Sequence, residues 1–511
     1  MGKIKRLSFL LAFVVALVMF SSCSEKHKKY IPADSKVVGK IDIKAFFDQT
    51  GADHEKLMAD MEEYLGKDVE KIKDMGLDVK DPIYIFGRGK GTNYTFGAVA
   101  KVDDKDKVKT WFEDNMKVEV DKQGDGFEYF AEGNAGIGLN GDALVIIFSS
   151  SDDAKKEIKK IMGKEYDGDL GDNKLFEKVE DANSFACLYA DLSIISEDIA
   201  KMLERQAPQI KENIEDIRKT IVGLDGNCND GICDFSYWAE SDDEKVQKKI
   251  DESLATLNEI DEKAIETIPE DAIGGFVANI DGPKLSKNID KSLREAKLLD
   301  ELPAEFNNIY NSILSIISDV NGNFAGYLVA PMDLMFAVES KGNTADKVAE
   351  LFNSLEDQFN SYTNSHGLDE NLSYEPTQFD DEELDDAAVD DYENYDFNSD
   401  FDSSSSFKIE KTADGYCGVD ENGSKFWFGN KNGALYITNN ESLISSAFKK
   451  ADKPVPSELV SFATSRRFMY FFSIGKVKDY TAAMDKEVKK AFNAFDEILS
   501  KVNYITFSLK S

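Results

Sequence analysis

The chain has 511 residues, which is too long for one ordinary core and indicates about three domains of 150 residues or two larger ones. Acidic residues outnumber basic ones by 97 to 61, and the net charge of −36 argues against a nucleic-acid-binding protein, which needs a cationic face. Three histidines leave little room for a multi-histidine metal site. Five cysteines exclude a disulfide-stapled scaffold.

The N-terminus has the pattern of a lipoprotein signal peptide over residues 1–22. Lys3, Lys5 and Arg6 precede a nearly uninterrupted apolar run, which is too short to span a bilayer and has the length of a secretory signal. Small residues then lead into Cys23, so we expect cleavage before Cys23 and lipid attachment to it. Cleavage would remove three basic residues and change the net charge from −36 to −39. The alternatives are an ordinary signal peptide and an uncleaved anchor.

Residues 23–30 are predicted to be a tether between the lipid and a folded body. Ser24 stands where an inner-membrane-retention signal would place aspartate, which favours the outer membrane, and the tether lacks the acidic cluster of surface-exposed lipoproteins. We therefore expect a lipid-anchored protein of the outer membrane that faces the periplasm. The negative charge predicts repulsion from anionic lipid, so contact with the membrane is expected through the lipid and the tether lysines only.

Two segments of the chain follow one plan, which predicts an internal duplication. Residues 31–46 (IPADSKVVGKIDIKAF) and 268–284 (IPEDAIGGFVANIDGPK) both open on Ile-Pro-x-Asp and continue into an apolar strand that ends on Ile-Asp. Strand-like runs joined by Asn-Gly at 140–141 and at 432–433 predict hairpins, because both residue types tolerate positive φ.

Three further matches follow in the same order along the chain. The matched pairs are 82–102 with 325–339, 185–203 with 467–484, and 232–241 with 504–511. We therefore expect an α+β fold of two tandem copies, residues 31–262 and 263–511. Each copy is predicted to be an antiparallel-sheet unit with helices packed on one face.

Residues 362–406 have no counterpart in the first copy and are predicted to be an acidic, disordered insertion. Twelve acids and no base lie between Asp380 and Asp402, and such a tract repels itself and has too little apolar surface to fold alone. The alternative is an interaction segment that a basic partner or weakly bound Ca²⁺ would order, although the spacing matches no known calcium loop.

No catalytic motif stands out in the sequence. It contains no Gly-x-Ser-x-Gly elbow, no Walker-type phosphate loop and no His-Glu-x-x-His. His27 lies in the predicted tether, and His54 and His366 lie in polar segments, so no histidine is placed for a catalytic triad. Paired carboxylates would serve a polysaccharide hydrolase, but the sequence singles out no pair. We expect no enzyme and no cofactor, and the question of a metal stays open.

Two cysteines flank a predicted turn. The segment LDGNCNDGICDF places Cys228 and Cys233 between two strand-like runs, which favours a disulfide in an oxidising compartment, with two free thiols as the alternative. A zinc site would need two more ligands, and none is spaced nearby. Cys187 and Cys417 lie in strand-like runs and are expected to be buried thiols.

The lipoprotein signal, the run YIPADSKVVGKIDIKAF and the segment DPIYIFGRGKGTNYTFGAVAKVDDKDKV together resemble the Bacteroidota lipoproteins catalogued as domain of unknown function 4836. The resemblance covers essentially the whole mature chain. It implies an envelope lipoprotein of that bacterial group. It implies no activity and no catalytic residue.

These features favour a non-enzymatic envelope lipoprotein that binds a protein or a glycan, because a duplicated fold often forms a groove between its copies. Exposed aromatic residues such as Trp111, Trp238 and Trp427 would serve as contacts, although core positions suit each of them better. No nucleic-acid partner is expected. The alternatives are a structural or stress-related spacer without a ligand and a carboxylate-based polysaccharide hydrolase.

Overall fold

Helices and strands alternate along most of the chain in the computed structural model. The structure describes residues 25–510 with gaps at 66–74, 79–80, 121, 152, 167, 207–212, 296–298, 300–305, 330, 367–407, 421–422 and 482–491. Within these described ranges, no helix combines the length and the apolar character needed to cross a bilayer. The predicted signal peptide, Cys23 and most of the acidic insertion lie outside the described residues.

The strands are numbered in chain order. They are β1 Val37–Ile41, β2 Leu77–Asp78, β3 Ile83–Lys90, β4 Asn93–Val102, β5 Lys122–Gln123, β6 Glu128–Glu132, β7 Ala135–Leu139, β8 Ala143–Ser149, β9 Ala186–Asp191, β10 Ile221–Asn229, β11 Ile232–Glu240, β12 Leu257–Asn258, β13 Gly274–Asp281, β14 Val320–Val329, β15 Asp333–Ser340, β16 Lys408–Thr412, β17 Gly415–Val419, β18 Lys425–Lys431, β19 Ala434–Thr438, β20 Arg466–Ser473 and β21 Tyr504–Lys510.

The α-helices are numbered in the same way. They are α1 Ile43–Thr50, α2 His54–Leu65, α3 Lys105–Trp111, α4 Ala154–Gly163, α5 Lys174–Asp181, α6 Glu197–Gln206, α7 Ile214–Arg218, α8 Glu244–Leu254, α9 Glu262–Ile265, α10 Gly282–Glu295, α11 Asn307–Asp319, α12 Thr344–His366, α13 Ser457–Ala463, α14 Ile474–Thr481 and α15 Asp496–Leu499. Short 3₁₀-helices cover Glu25–Tyr30, Leu170–Asp172, Leu192–Ile194 and Glu441–Ser446, and a π-helix covers Phe112–Met116.

The strands form one open, mostly antiparallel sheet, so the predicted α+β class is confirmed. From β1 the sheet continues on one side through β3, β4, β8, β7, β6 and β5, and on the other through β9, β10 and β11. From β13 it continues on one side through β14, β15, β19, β18, β17 and β16, and on the other through β20 and β21. We call these the first and the second strand series.

The strand order corrects one predicted match. Strand β21 pairs with β20 as β10 pairs with β9, so residues 504–511 correspond in position to β10 and not to 232–241. Strands β10 and β11 are joined by a tight hairpin, so they are neighbours both in the sequence and in the sheet. Strand β12 pairs with β13, which places residues 257–258 with the second series, before the predicted boundary at 262.

Helices pack on both faces of the sheet, so the prediction of helices on one face is wrong. Successive strand residues point to opposite faces. In β4, Val99 packs in the apolar cluster that contains α4, whereas Ala100 packs in the cluster that contains α3. In β15, Ala337 packs with α13 and Val338 packs with α12. The strand residues that point to either face are apolar, so each face of the sheet is stabilised by helices that shield it from water.

The described part of the predicted tether is folded. Residues 25–30 form a 3₁₀-helix against the sheet, where His27 is 1% exposed and its Nε2 donates to the carbonyl of Pro82 at 3.0 Å. Lys28 forms an ion pair with Glu180. Tyr30 is buried in the same apolar cluster as α4, and this burial holds the segment on the body. Over residues 25–30 the predicted tether is therefore part of the folded body, and these are the first residues that the structure describes.

A parallel pair, β11 with β21, joins the two strand series. The carboxylate of Asp234 on β11 is buried at this junction and accepts hydrogen bonds from Thr506 Oγ1 at 2.8 Å and Ser508 Oγ at 3.0 Å on β21. Arg466 on β20 lies 3.3 Å from the same carboxylate through Nη2 and donates from Nε to Ser508 Oγ at 3.0 Å. The donors that compensate the charge of Asp234 among the described residues thus come from the second series.

Two further contacts cross the junction. Phe185 and the Cys228–Cys233 pair of the first series share an apolar cluster with Ile474 and Val502 of the second. Glu497 on α15 accepts hydrogen bonds from Lys56 Nζ at 2.6 Å and from the backbone N–H of Asp53 at 2.9 Å. The bond from Lys56 holds the pKa of the Glu497 carboxyl below its usual range.

We predict that Asp234→Ala lowers the free energy of unfolding by about 3–5 kcal/mol, because the change leaves the largely buried Arg466 without its counter-charge. The matched control is Asp242→Ala, which removes an ion pair with Lys174 whose side chains are 81% and 72% exposed, and should leave the free energy of unfolding nearly unchanged because water screens the pair. Urea unfolding measures both. Equal losses in the two variants would show that the junction carboxylate contributes no more than a surface pair.

Candidate binding face

A row of large apolar side chains lies exposed on one face of the sheet around the junction. On β20, Tyr470 and Phe472 are 46% and 47% exposed, whereas Met469 and Phe471 between them are 0% and 1% exposed on the opposite face. We call the exposed surface the aromatic face. It consists of Leu188 on β9, Leu224 on β10, Tyr237 on β11, Phe507 on β21, and Tyr470 and Phe472 on β20.

Strand register places these side chains side by side. Leu188 is the direct partner of Leu224, and Leu224 is the direct partner of Tyr237. Across the junction, Phe507 is the direct partner of Tyr470. Directly opposed side chains in antiparallel pairs lie about 5 Å apart on the same face. The aromatic face is therefore continuous across five neighbouring strands.

Aromatic contacts extend the face in both directions from the junction. The ring of Phe507 stacks on that of Phe235, with centroids 5.5 Å apart and an interplanar angle of 23°. The ring of Tyr470 lies 5.5 Å from that of Phe276 on β13, which in turn lies 5.7 Å from Phe336 on β15. The surface thus continues into a ladder of partly buried rings that supports the exposed ones.

Glycines on neighbouring strands let these rings lie close to the sheet. Gly326 on β14 is the direct partner of both Phe276 and Phe336, and a Cβ atom there would lie 2.5 Å from each ring. Gly274 on β13 likewise faces Phe472. A side chain at these positions would push the rings up from the sheet, so glycine sets how they lie.

The aromatic face has little polar chemistry. Its only polar side-chain groups are the hydroxyls of Tyr237 and Tyr470, and burial, followed by the nearby Tyr470, raises the pKa of Tyr237. The Tyr237 hydroxyl therefore stays protonated at neutral pH, and each of the two hydroxyls can donate or accept a hydrogen bond. The arrangement suits contact with another apolar surface.

The tryptophans singled out in the sequence do not belong to the aromatic face. Trp111 is 7% exposed in the cluster beneath α3, and Trp427 packs against the core of the second series. Trp238 donates from Nε1 to the buried carboxylate of Asp225 at 3.0 Å. The exposed rings come instead from runs such as RFMYFF, in which every second residue faces outward. In this run the residues that face inward and those that face outward are both apolar. The sequence therefore does not show which of the two sets is exposed.

The two cysteines of the predicted pair lie opposite each other in the β10–β11 hairpin. Cys228 and Cys233 are direct register partners linked by a disulfide, with Cα atoms 4.0 Å apart. Cys187 and Cys417 are buried thiols, and burial raises the pKa of both. Among the described residues, no group of three or more His, Cys, Asp or Glu side chains is placed to hold a metal.

Two of the depressions on the described surface lie elsewhere. One, of about 380 Å³, lies by the β10–β11 turn and is lined in part by Asp230 and Glu458. The other, of about 670 Å³, lies along α4 and is lined mainly by lysines. Neither adjoins the aromatic face. The depression by the β10–β11 turn is otherwise lined by Asn, Ser, Ile and Phe residues.

One protein family matches almost the whole of the described part of the chain. The family described as domain of unknown function (DUF4836) matches residues 28–505. The chain belongs to this family. No curated protein and no solved structure matches it. The match begins within the 3₁₀-helix at 25–30 and ends within β21, so the DUF4836 unit includes both strand series and their junction.

We predict that Gly326→Ala in this DUF4836 chain lowers the free energy of unfolding by about 1–3 kcal/mol, because the added Cβ displaces two rings. Gly342→Ala is the matched control: it has no atom within 4 Å of the added Cβ and should be neutral or slightly stabilising. Chemical unfolding of both variants tests this. Similar stabilities would mean that the rings accommodate a methyl group and that glycine does not set their position.

Proposed function

We propose that this chain is a lipid-anchored protein of the bacterial cell envelope that binds a protein partner through the aromatic face and catalyses no reaction. The observation that carries the proposal is the exposure of Tyr237, Tyr470, Phe472 and Phe507 on neighbouring strands. Soluble proteins rarely expose contiguous apolar surface without a partner, and tyrosine and phenylalanine are enriched in the buried centres of protein interfaces.

A protein partner fits the aromatic face better than a glycan does. A glycan site combines stacking rings with several polar groups that bind sugar hydroxyls. The aromatic face has two hydroxyls, on Tyr237 and Tyr470, and is otherwise hydrocarbon. An apolar protein surface would cover it without leaving polar groups unpaired. Glycan binding is the alternative outcome of the experiment below, and a spacer without a ligand is the third.

The sequence supports the location in the envelope. The apolar run that ends at Cys23 has the form of a lipoprotein signal, and the resemblance to Bacteroidota lipoproteins points the same way. We propose that Cys23 carries the lipid at the outer membrane and that the body faces the periplasm. The Cys228–Cys233 disulfide suits this oxidising compartment.

We also propose that the two strand series arose by duplication, with residues 31–262 and 263–511 as the approximate copies. The support is the shared order of strands outward from β1 and from β13, together with the repeated Ile-Pro-x-Asp before each of these strands. Among the described strands, β11 has no equivalent in the second series, and it provides the edge on which β21 pairs.

Replacing Phe472 by the photo-crosslinking residue p-benzoylphenylalanine in producing cells should yield one discrete protein adduct. The same residue at Met332, which is 59% exposed in the β14–β15 turn, is the matched control and should yield none. A Tyr470→Ser change should abolish the Phe472 adduct, because it removes neighbouring contact surface. The readout is the mass of the adduct after affinity purification.

Other outcomes separate the alternatives. Identical adducts from Phe472 and Met332, or none from either, would contradict a protein-binding face. Binding to a glycan array that Tyr470→Ser abolishes would replace the protein by a glycan. An adduct with a second copy of this chain would identify self-association as the function of the face.

Changing Cys23 to Ser should remove the lipid and release the protein from the membrane fraction, because a thiol is needed to form the thioether to the lipid. Metabolic labelling with a palmitate analogue and fractionation measure this. A Cys187→Ser variant should still label, since that thiol is buried. Labelling that persists in Cys23→Ser would contradict the anchor but would leave the aromatic face untouched as a binding surface.

A further inference from the structure

Helix α4 is strongly basic within a chain of net charge −36. Five lysines and three acids lie between residues 153 and 166. Lys155, Lys156 and Lys159 are exposed, whereas Ala154, Ile158, Ile161 and Met162 of the same helix are buried on the sheet. Helical spacing therefore sends the lysines outward as one group. They line the open depression of about 670 Å³ described above.

The 3₁₀-helix at 25–30 lies beside the C-terminal end of α4. The ring of Tyr30 has Lys29 Nζ at 5.3 Å and Lys164 Nζ at 5.4 Å from its centroid. Tyr166, just beyond α4, donates from its hydroxyl to the carbonyl of Ile161 at 2.7 Å and approaches that of Tyr30 at 3.4 Å. These contacts fix the start of the folded body against the basic helix.

Lysines of the segment at 25–30 and of the end of α4 both act on the carboxyl group of Asp142. Asp142 accepts a hydrogen bond from Lys29 at 2.6 Å, and this bond holds the pKa of Asp142 below its usual range. The positive charges of Lys26 and Lys164 lower it further. Lys26 at the N-terminus and Lys164 at the end of α4 therefore belong to one basic region, which we call the basic patch: Lys26, Lys155, Lys156, Lys159, Lys160 and Lys164.

We propose that the basic patch docks on the anionic headgroups of the bilayer to which the chain is anchored. The inference rests on the proposed lipid at Cys23, which leaves only Ser24 between the anchor and the folded segment at 25–30. So short a link holds the body against the membrane beside Lys26. The expectation that the net negative charge repels the body from lipid is thereby revised locally, because screening limits repulsion from charges beyond about 10 Å.

Docking through the basic patch would orient the body. On β9, Cys187 and Tyr189 pack in the cluster that contains α4, whereas Leu188 between them belongs to the aromatic face. The basic patch and the aromatic face thus lie on opposite sides of the sheet in the first strand series. A body docked through α4 presents Leu188 and its neighbours away from the lipid, where a protein partner can reach them.

The test anchors the protein without relying on natural lipidation. The chain from Cys23 onwards is coupled through the Cys23 thiol to a maleimide lipid in vesicles, a reaction that the buried Cys187 and Cys417 should escape. Acetylation rates of single lysines are then measured by mass spectrometry on vesicles of phosphatidylcholine and on vesicles rich in phosphatidylglycerol. We expect Lys155, Lys156 and Lys159 to react at least about fivefold more slowly on the anionic vesicles, and high salt should remove the difference.

Lys449, Lys450 and Lys453 provide an internal control, because they are exposed in the second series with the same spacing as the three α4 lysines. Their rates should not depend on the lipid. The triple variant Lys155→Gln, Lys156→Gln and Lys159→Gln should also lose the protection of Lys164, whereas the triple Gln variant of the control lysines should keep it.

Equal acetylation rates on both kinds of vesicle, or equal protection of the control lysines, would overturn the proposal. Either result would leave the lipid on Cys23 open, because the chemical coupling replaces it. Conversely, protection of the α4 lysines combined with persistent labelling of the Cys23→Ser variant would support the basic patch and reject the natural anchor.

Discussion

The continuity of the sheet depends on the parallel pairing of β11 with β21. Antiparallel pairs hold each strand series together internally, whereas this parallel pair joins the two series. On one side of the pair, the Asp234 carboxylate is held by Thr506, Ser508 and Arg466; on the other, Phe235 stacks on Phe507. A buried carboxylate with three donors discriminates against shifted registers, because any slip would leave its charge unpaired. The junction thereby sets which aromatic side chains become neighbours.

The aromatic face follows from that junction. Tyr237 belongs to the first series and Tyr470, Phe472 and Phe507 to the second, so no single series builds the surface. Glycines such as Gly274 and Gly326 let the rings lie along the strands, which widens the contact area of each ring and limits its height. The same few strands, β11, β20 and β21, therefore carry both the proposed binding surface and the junction between the two series. A partner on the face would also stabilise the contact between the series by mass action.

Much of the local structure was predictable because it depends on short-range patterns. Asn-Gly marks the β18–β19 turn, where Asn432 and Gly433 both adopt positive φ, and the hairpins at β3–β4 and β14–β15 follow their apolar runs. The folded state of residues 25–30 was missed, because lysines dominate the composition there while one histidine and one tyrosine hold the segment on the body. The presence of helices on both faces of the sheet was not predicted either. A strand whose residues are apolar on both faces is expected to be buried, but its sequence does not show which residues the helices leave exposed.

The binding surface was the hardest part to predict. The three tryptophans were the predicted contacts, yet the polar N–H of Trp238 is satisfied inside the protein by Asp225. Exposed phenylalanine has no signature of its own in sequence. Its exposure depends on which strands the helices leave bare, and that depends on pairings between residues several hundred positions apart.

The same distance has a consequence for biosynthesis. Asp234 and Thr506 are separated by 272 residues, so the outer edge of β11 has no neighbour until β21 has been made. At a synthesis rate of about 5–20 residues per second, that interval is on the order of half a minute. During it, the nascent first series presents unpaired backbone groups beside the apolar side chains of Phe235 and Tyr237, a combination that invites association with other chains. Protection of this edge by a chaperone during synthesis or export would therefore matter more than protection of any hairpin that closes locally.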